Sequence, residues 1–224
     1  MIDNYRFHAR VFATPGTRAH APVLLLHGLG GSGRPLVPVA EQLAPYFDVY
    51  VPDLPGHGGS DVPPRALGVQ GMAEWVSAWL ALMGLRRVSI VSHGRGCQIA
   101  VELAVREPQL VERLVLIAPA MDRGSPYARG VRRLLGRVPR SRRAAAAARR
   151  IEDRLPRLTI PVMFVRGEWD WRSPQAWVDL LAEITPDSRV AVVSGAGVAV
   201  QQRAPESLAR VIVPFLSESR ISHH

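Results

Sequence analysis

The residues of this chain that could do chemistry gather in three glycine-rich turns and a few positions around them. The first turn reads His27-Gly28-Leu29-Gly30-Gly31-Ser32-Gly33. The second reads Asp53-Leu54-Pro55-Gly56-His57-Gly58-Gly59-Ser60-Asp61, and the third Val91-Ser92-His93-Gly94-Arg95-Gly96. Each turn follows a short apolar run. A helix starting near Arg95 would aim its positive end at whatever lies above the third turn. Cys97 falls in that helix's first turn, where a thiolate is favoured, although a buried free cysteine ordinarily acts as a small hydrophobe. A single cysteine makes no internal disulfide and no metal site by itself, and no cofactor or metal is expected. All 28 Lys+Arg residues are arginine, which excludes Schiff-base and lysine-base chemistry.

Those turns need elements to hold them. A length of 224 residues with 47% hydrophobic content supports one sizeable core. Ordinary charge content and a mean hydropathy near zero exclude a disordered chain. No apolar run approaches the roughly 18–20 residues of a membrane helix, and no secretory leader is visible at Met1–Arg10, so a cytoplasmic location is expected. Apolar patterning predicts strands over 5–11, 22–26, 47–51, 87–91, 111–117, 161–165 and 189–193. Helices are predicted over 35–45, 71–83, 98–106, 174–184 and 205–216. Strands and helices alternate, which calls for a mostly parallel sheet with helices on both faces. Ligands bind such sheets at the carboxyl ends of the strands, where all three glycine-rich turns fall.

In their order and spacing the three turns resemble those of the α/β-hydrolase superfamily. Arg166-Gly167-Glu168-Trp169-Asp170 and Ser194-Gly195-Ala196-Gly197 fit the same pattern, so the resemblance spans nearly the whole chain outside an Arg/Ala-rich stretch. The resemblance implies an α/β-hydrolase fold and assigns roles by position. The nucleophile of a G-x-S-x-G elbow would stand at Gly94, the acid at Asp170 and the histidine at Val198. The elbow tip therefore carries neither hydroxyl nor thiol. After Asp170 the sequence has only His223 and His224, in a tail that cannot hold a base in reach. The backbone N–H groups of Leu29 and Arg95 match the oxyanion hole, which needs no particular side chain. His27, Gly28, Ser92, His93 and Cys97 are further pocket candidates. His27, His57 and His93 match positions that are commonly non-catalytic in this family.

The resemblance further implies a lid after the fifth predicted strand, over 121–156. That leaves 1–120 and 157–219 as the core and 220–224 as a disordered tail. Arg123 to Arg157 carries 12 arginines and two acids, so the net charge of +9 belongs to one segment. Two short basic helices separated by Pro139 are expected there. Such a lid suits an acidic or carrier-bound small molecule or an anionic lipid. Nucleic acid fits poorly, because no aromatics interleave with the arginines.

The leading expectation is a non-hydrolytic small-molecule pocket, of lyase, cyclase or isomerase type, using the oxyanion hole and Asp170 as general base. The alternatives are a pseudo-hydrolase with a degenerate catalytic triad, acting as a binding or partner protein, and an unusual hydrolase with an unrecognised nucleophile. Oligomeric state is left open.

Overall fold

A computed structural model describes residues 5–13, 20–28, 31–121 and 150–218. Leu29, the expected two-helix part of the lid and the 220–224 tail lie outside those residues. The described residues form a seven-stranded sheet in the order β1-β3-β2-β4-β5-β6-β7. The strands are β1 (Ala9–Phe12), β2 (Val23–Leu26), β3 (Val49–Pro52), β4 (Val88–His93), β5 (Val111–Ile117), β6 (Val162–Gly167) and β7 (Ser188–Val193). Only β1 runs antiparallel, along β3 at one edge; the other pairs are parallel.

The helices are α1 (Val37–Leu43), α2 (Val69–Leu82), α3 (Gly96–Arg106), α4 (Gln175–Glu183), α5 (Val200–Arg203) and α6 (Pro205–Ser217). Strand β2 is buried along its whole length, because helices cover both faces. Its side chains alternate: Leu24 and Leu26 join the core under α2, α3 and α4, while Val23 and Leu25 join the core under α1 and α6. Continuous apolar strands are the sequence signature of such double cover. No helix among the described residues is long and apolar enough to cross a membrane.

Boundaries shift by one to four residues from the sequence reading. The first strand begins at Ala9 rather than Tyr5, and the first helix is preceded by a 3-10 turn at Arg34–Leu36. Helix α5 carries no apolar periodicity long enough to be seen in sequence. The end of the expected lid is different in kind. Ile151 and Leu155 are buried in the α2–α3 core. Arg154 donates to the Glu102 carboxylate of α3 at 2.8 Å, with both side chains buried. The chain from Ile151 onward is therefore core.

Candidate active site at the carboxyl edge of the sheet

Strands β4, β5 and β6 end level with one another. His93 pairs with Ile117 and Ile117 with Val165, and two residues beyond Val165 the chain leaves the sheet at Gly167. The turn between β4 and α3 is sharp. Its tip, Gly94, has φ +60°; its N–H donates to Ile117 O at 2.9 Å, and its own carbonyl accepts from Ala120 N at 3.2 Å. A Cβ at Gly94 would meet nothing within 4 Å among the described residues, whereas one at Gly96 would lie 2.6 Å from the His27 carbonyl. Gly96 thus permits the close approach of α3 to β2. Glycine at 94 removes the cost of left-handed backbone.

The acid turn is built by Arg166, buried near the end of β6. Its guanidinium donates to the carbonyls of Ser173 (2.9 Å), Asp170 (3.1 Å) and Glu168 (3.2 Å) and to Gln175 Oε1 (3.2 Å). This folds the loop back around Asp170, which is only 1% exposed. Asp170 Oδ1 accepts the amides of Arg172 at 2.8 Å and Ser173 at 3.3 Å. The loop after β7, which carries Val198, is tied to the same turn: Trp169 N donates to Ala196 O at 2.8 Å, and Gly195 N to Glu168 Oε2 at 2.8 Å.

The polar groups of this edge fall into two sets. One lies at the ends of β2 and β3 around Asp53, which is wholly buried. Its Oδ1 accepts from Gly33 N (2.6 Å) and Arg10 (3.3 Å), and its Oδ2 from Gly59 N (3.0 Å) and His8 Nδ1 (2.8 Å). Burial opposes the charge, but the two amides, His8 and Arg10 outweigh it and hold Asp53 below the usual carboxylate range. His27 belongs to this set: its Nδ1 donates to Gly28 O at 2.9 Å, and its Nε2 accepts Leu54 N–H at 2.9 Å. The second set is His93, Asp170 and Arg172, which act on one another electrostatically.

These observations meet a family pattern. Residues 21–150 match the family described as the alpha/beta hydrolase fold. The chain belongs to the α/β-hydrolase family.

A putative carbamate hydrolase, RutD of Agrobacterium fabrum, is 35% identical over 114 residues, which cover 50% of this α/β-hydrolase and 43% of that protein. An uncharacterized protein of Mycobacterium tuberculosis is 38% identical over 96 residues, 43% of this chain and 28% of that one. The matches thus span less than half of either curated relative. Among solved structures, a thermophilic esterase from Thermogutta terrifontis superposes with a TM-score of 0.78 at 21% identity, over 95% of this chain and 93% of that one. At that identity the likeness concerns the fold.

In this α/β-hydrolase, Gly94, Arg95, His93 and Asp170 lie at the carboxyl edge, as the sequence led us to expect. Ser92 and Cys97 do not reach the surface. Both are fully buried; Ser92 Oγ donates to Val115 O at 3.3 Å, and Cys97 Sγ faces the carbonyls of Ser92 (3.5 Å) and Ile117 (3.6 Å). Burial pushes the Cys97 thiol up to about 12, so the helix N-terminus does not yield a thiolate. Asp170 sits beneath the surface. Sequence reasoning quoted Arg166 in a motif but gave it no role, although an arginine directly ending the apolar run Val162–Val165 was a visible signal. It also passed over His8 and Arg10, whose partner Asp53 lies more than 40 residues away in sequence.

Gly94→Ser should not confer hydrolysis. The position that the resemblance gives to the activating histidine holds Val198, so a hydroxyl at 94 lacks the base that position would supply. The added Cβ meets no atom of the described residues, so the expected cost is backbone strain, about 1–3 kcal/mol. A Tm at or above the parent's would contradict this. Adding Val198→His should give weak activity at most, because about 1 Å of misplacement can cost about a hundredfold.

Stability should fall in acid. Burial lowers the affinity of His27 and His93 for protons below the ordinary 6.5, and Asp53 is held below 3.8. In each case the unfolded chain binds more protons, so stability rises with pH. The histidine contribution is present above pH 6.5 and is lost as pH falls through the folded values. The Asp53 contribution is lost at lower pH still. Urea midpoints between pH 7 and pH 3 should decline in two stages, and a flat profile would refute the assignment.

Proposed function

We propose that this chain carries a non-hydrolytic small-molecule site performing acid–base chemistry of lyase, cyclase or isomerase type, without a covalent intermediate. The observation that carries this reading is the elbow tip. Gly94 stands where a nucleophile would be, with no described residue within 4 Å of a Cβ there, while both nearby nucleophilic side chains, Ser92 and Cys97, are buried and hydrogen-bonded away from it. In this reading the Arg95 N–H at the start of α3 stabilises a developing oxyanion, and Asp170, whose Oδ1 accepts the Arg172 and Ser173 amides, is the carboxyl group of the site. A carbonyl compound able to form an enolate suits that set. The arginine-rich composition of the 123–157 sequence favours a substrate that is itself acidic or carrier-bound.

Incubation with p-nitrophenyl esters and a fluorophosphonate should give neither turnover nor adduct. A stoichiometric adduct on Ser92 or Cys97 would establish a hydrolase with an unusual nucleophile instead. Native mass spectrometry of the purified protein should reveal a retained small molecule.

A second reading, a catalytically inactive binding protein, is favoured by one contact pattern. Asp170 Oδ1 already accepts two amides of its own turn, which is what a purely structural aspartate does.

A further inference from the structure

Four histidines stand at the carboxyl edge of the sheet, and three have ring partners. His8 Nδ1 is on Asp53, both nitrogens of His27 are bonded to backbone, and His57 Nδ1 donates to Pro55 O at 2.8 Å. His93 is different. It is half-buried, neither ring nitrogen has a hydrogen-bond partner among the described residues, and neither is sealed from the surface. It immediately precedes Gly94, the tip of the turn between β4 and α3. An imidazole at the end of a central strand with both nitrogens unused is available to a ligand in a way that the other three are not.

We propose that His93 is the proton-carrying base of this site, with Asp170 acting through it. The proposal rests on the acid–base reading above and names the group that moves the proton. The groups facing the ring from the packed elements are Asp170 and Arg172. Burial holds the imidazole below 6.5, Asp170 draws it upward and Arg172 pushes it down, with burial dominant. At neutral pH the ring is therefore an unprotonated base.

The substrate class is a carbonyl compound with an acidic hydrogen on the adjacent carbon. A ring nitrogen of His93 takes that hydrogen as a proton. The C–H electron pair becomes the enolate, whose oxygen accepts from the Arg95 N–H. Return of the proton from imidazolium to a different carbon completes an isomerisation, while loss of a β-substituent with the electron pair gives a lyase. No oxidant, reductant or metal is needed. Asp170 stabilises the imidazolium and makes no contact with the substrate in this scheme, so it is a positioning residue for His93.

The test uses nitrobenzisoxazole, whose ring opening needs only a base: the ring C–H is lost, the N–O bond breaks and a coloured phenolate forms. The parent protein should open it faster than buffer, with a pH–rate midpoint equal to the His93 midpoint read by NMR and below 6.5. His93→Gln and His93→Asn should each lose tenfold or more while keeping the parent's Tm. In Asp170→Asn the His93 midpoint should move down, because a charge that favours imidazolium is gone. A parent rate equal to buffer, a rate unchanged in both His93 variants, or a midpoint unrelated to His93 overturns the proposal. The failures are separable. If Asp170→Asn abolishes turnover and the His93 variants retain it, Asp170 is itself the base, so the acid–base reading survives and this inference does not.

Discussion

Asp53→Asn should cost about 3–5 kcal/mol of folding stability, the usual consequence of removing one partner from a buried charged network. Asp53 is fully buried and accepts from two backbone amides, His8 and Arg10. It joins the antiparallel edge strand β1 to the second glycine-rich turn, which Ser60 Oγ closes further by donating to Asp53 O at 2.6 Å. An amide in its place carries no charge to answer Arg10, and its NH2 group faces a donor. Domains of this size are stable by about 5–15 kcal/mol, so the variant should be partly unfolded under mild denaturant. Gly58→Ala should behave similarly for a separate reason. Gly58 has φ +56°, and an added Cβ would collide with the Asp53 carboxylate. Urea unfolding followed by circular dichroism measures both. A loss below about 1 kcal/mol in Asp53→Asn would mean that water replaces the network at little cost.

Asp170→Asn should lower turnover of the substrate identified from the retained ligand by about two to four orders of magnitude, the range for removing acid–base assistance. The Tm should hardly move. Asparagine keeps the shape and keeps Oδ1 as acceptor for the Arg172 and Ser173 amides, so the turn that Arg166 braces survives while the charge is lost. That separation is the value of the substitution. A falling Tm with unchanged ligand behaviour would make Asp170 structural and would favour the binding-protein reading.

Much of the architecture could be read along the sequence. Parallel strands covered on both faces show as continuous apolar runs, and Val23–Leu26 and Val162–Val165 are such runs. The glycines at 94 and 96 mark a strand-to-helix turn because side chains are penalised there, at one position by backbone conformation and at the other by the His27 carbonyl. The family's ordered motifs could be read for the same reason: each is a local steric demand written in a few adjacent residues. Helix α5 and the buried stretch from Ile151 were not legible. One is too short for a periodic signal, and the other is helical only in brief 3-10 turns.

The sequence by itself determined that no lysine chemistry and no internal disulfide is possible, that the turn tip is glycine, and that Asp170 has no histidine in the order the family would place it. Only the tertiary structure decided which side chains are available. It buried Ser92 and Cys97, enclosed Asp170, engaged His8, His27 and His57, and left both ring nitrogens of His93 without a hydrogen-bond partner among the described residues. The physical reason is that a residue's type is local but its hydrogen-bond partners are not. His8 meets Asp53 across 45 residues, and Trp177 Nε1 reaches Pro119 O across 58. Desolvation and pairing, which fix whether a group can move a proton, depend on those distant neighbours.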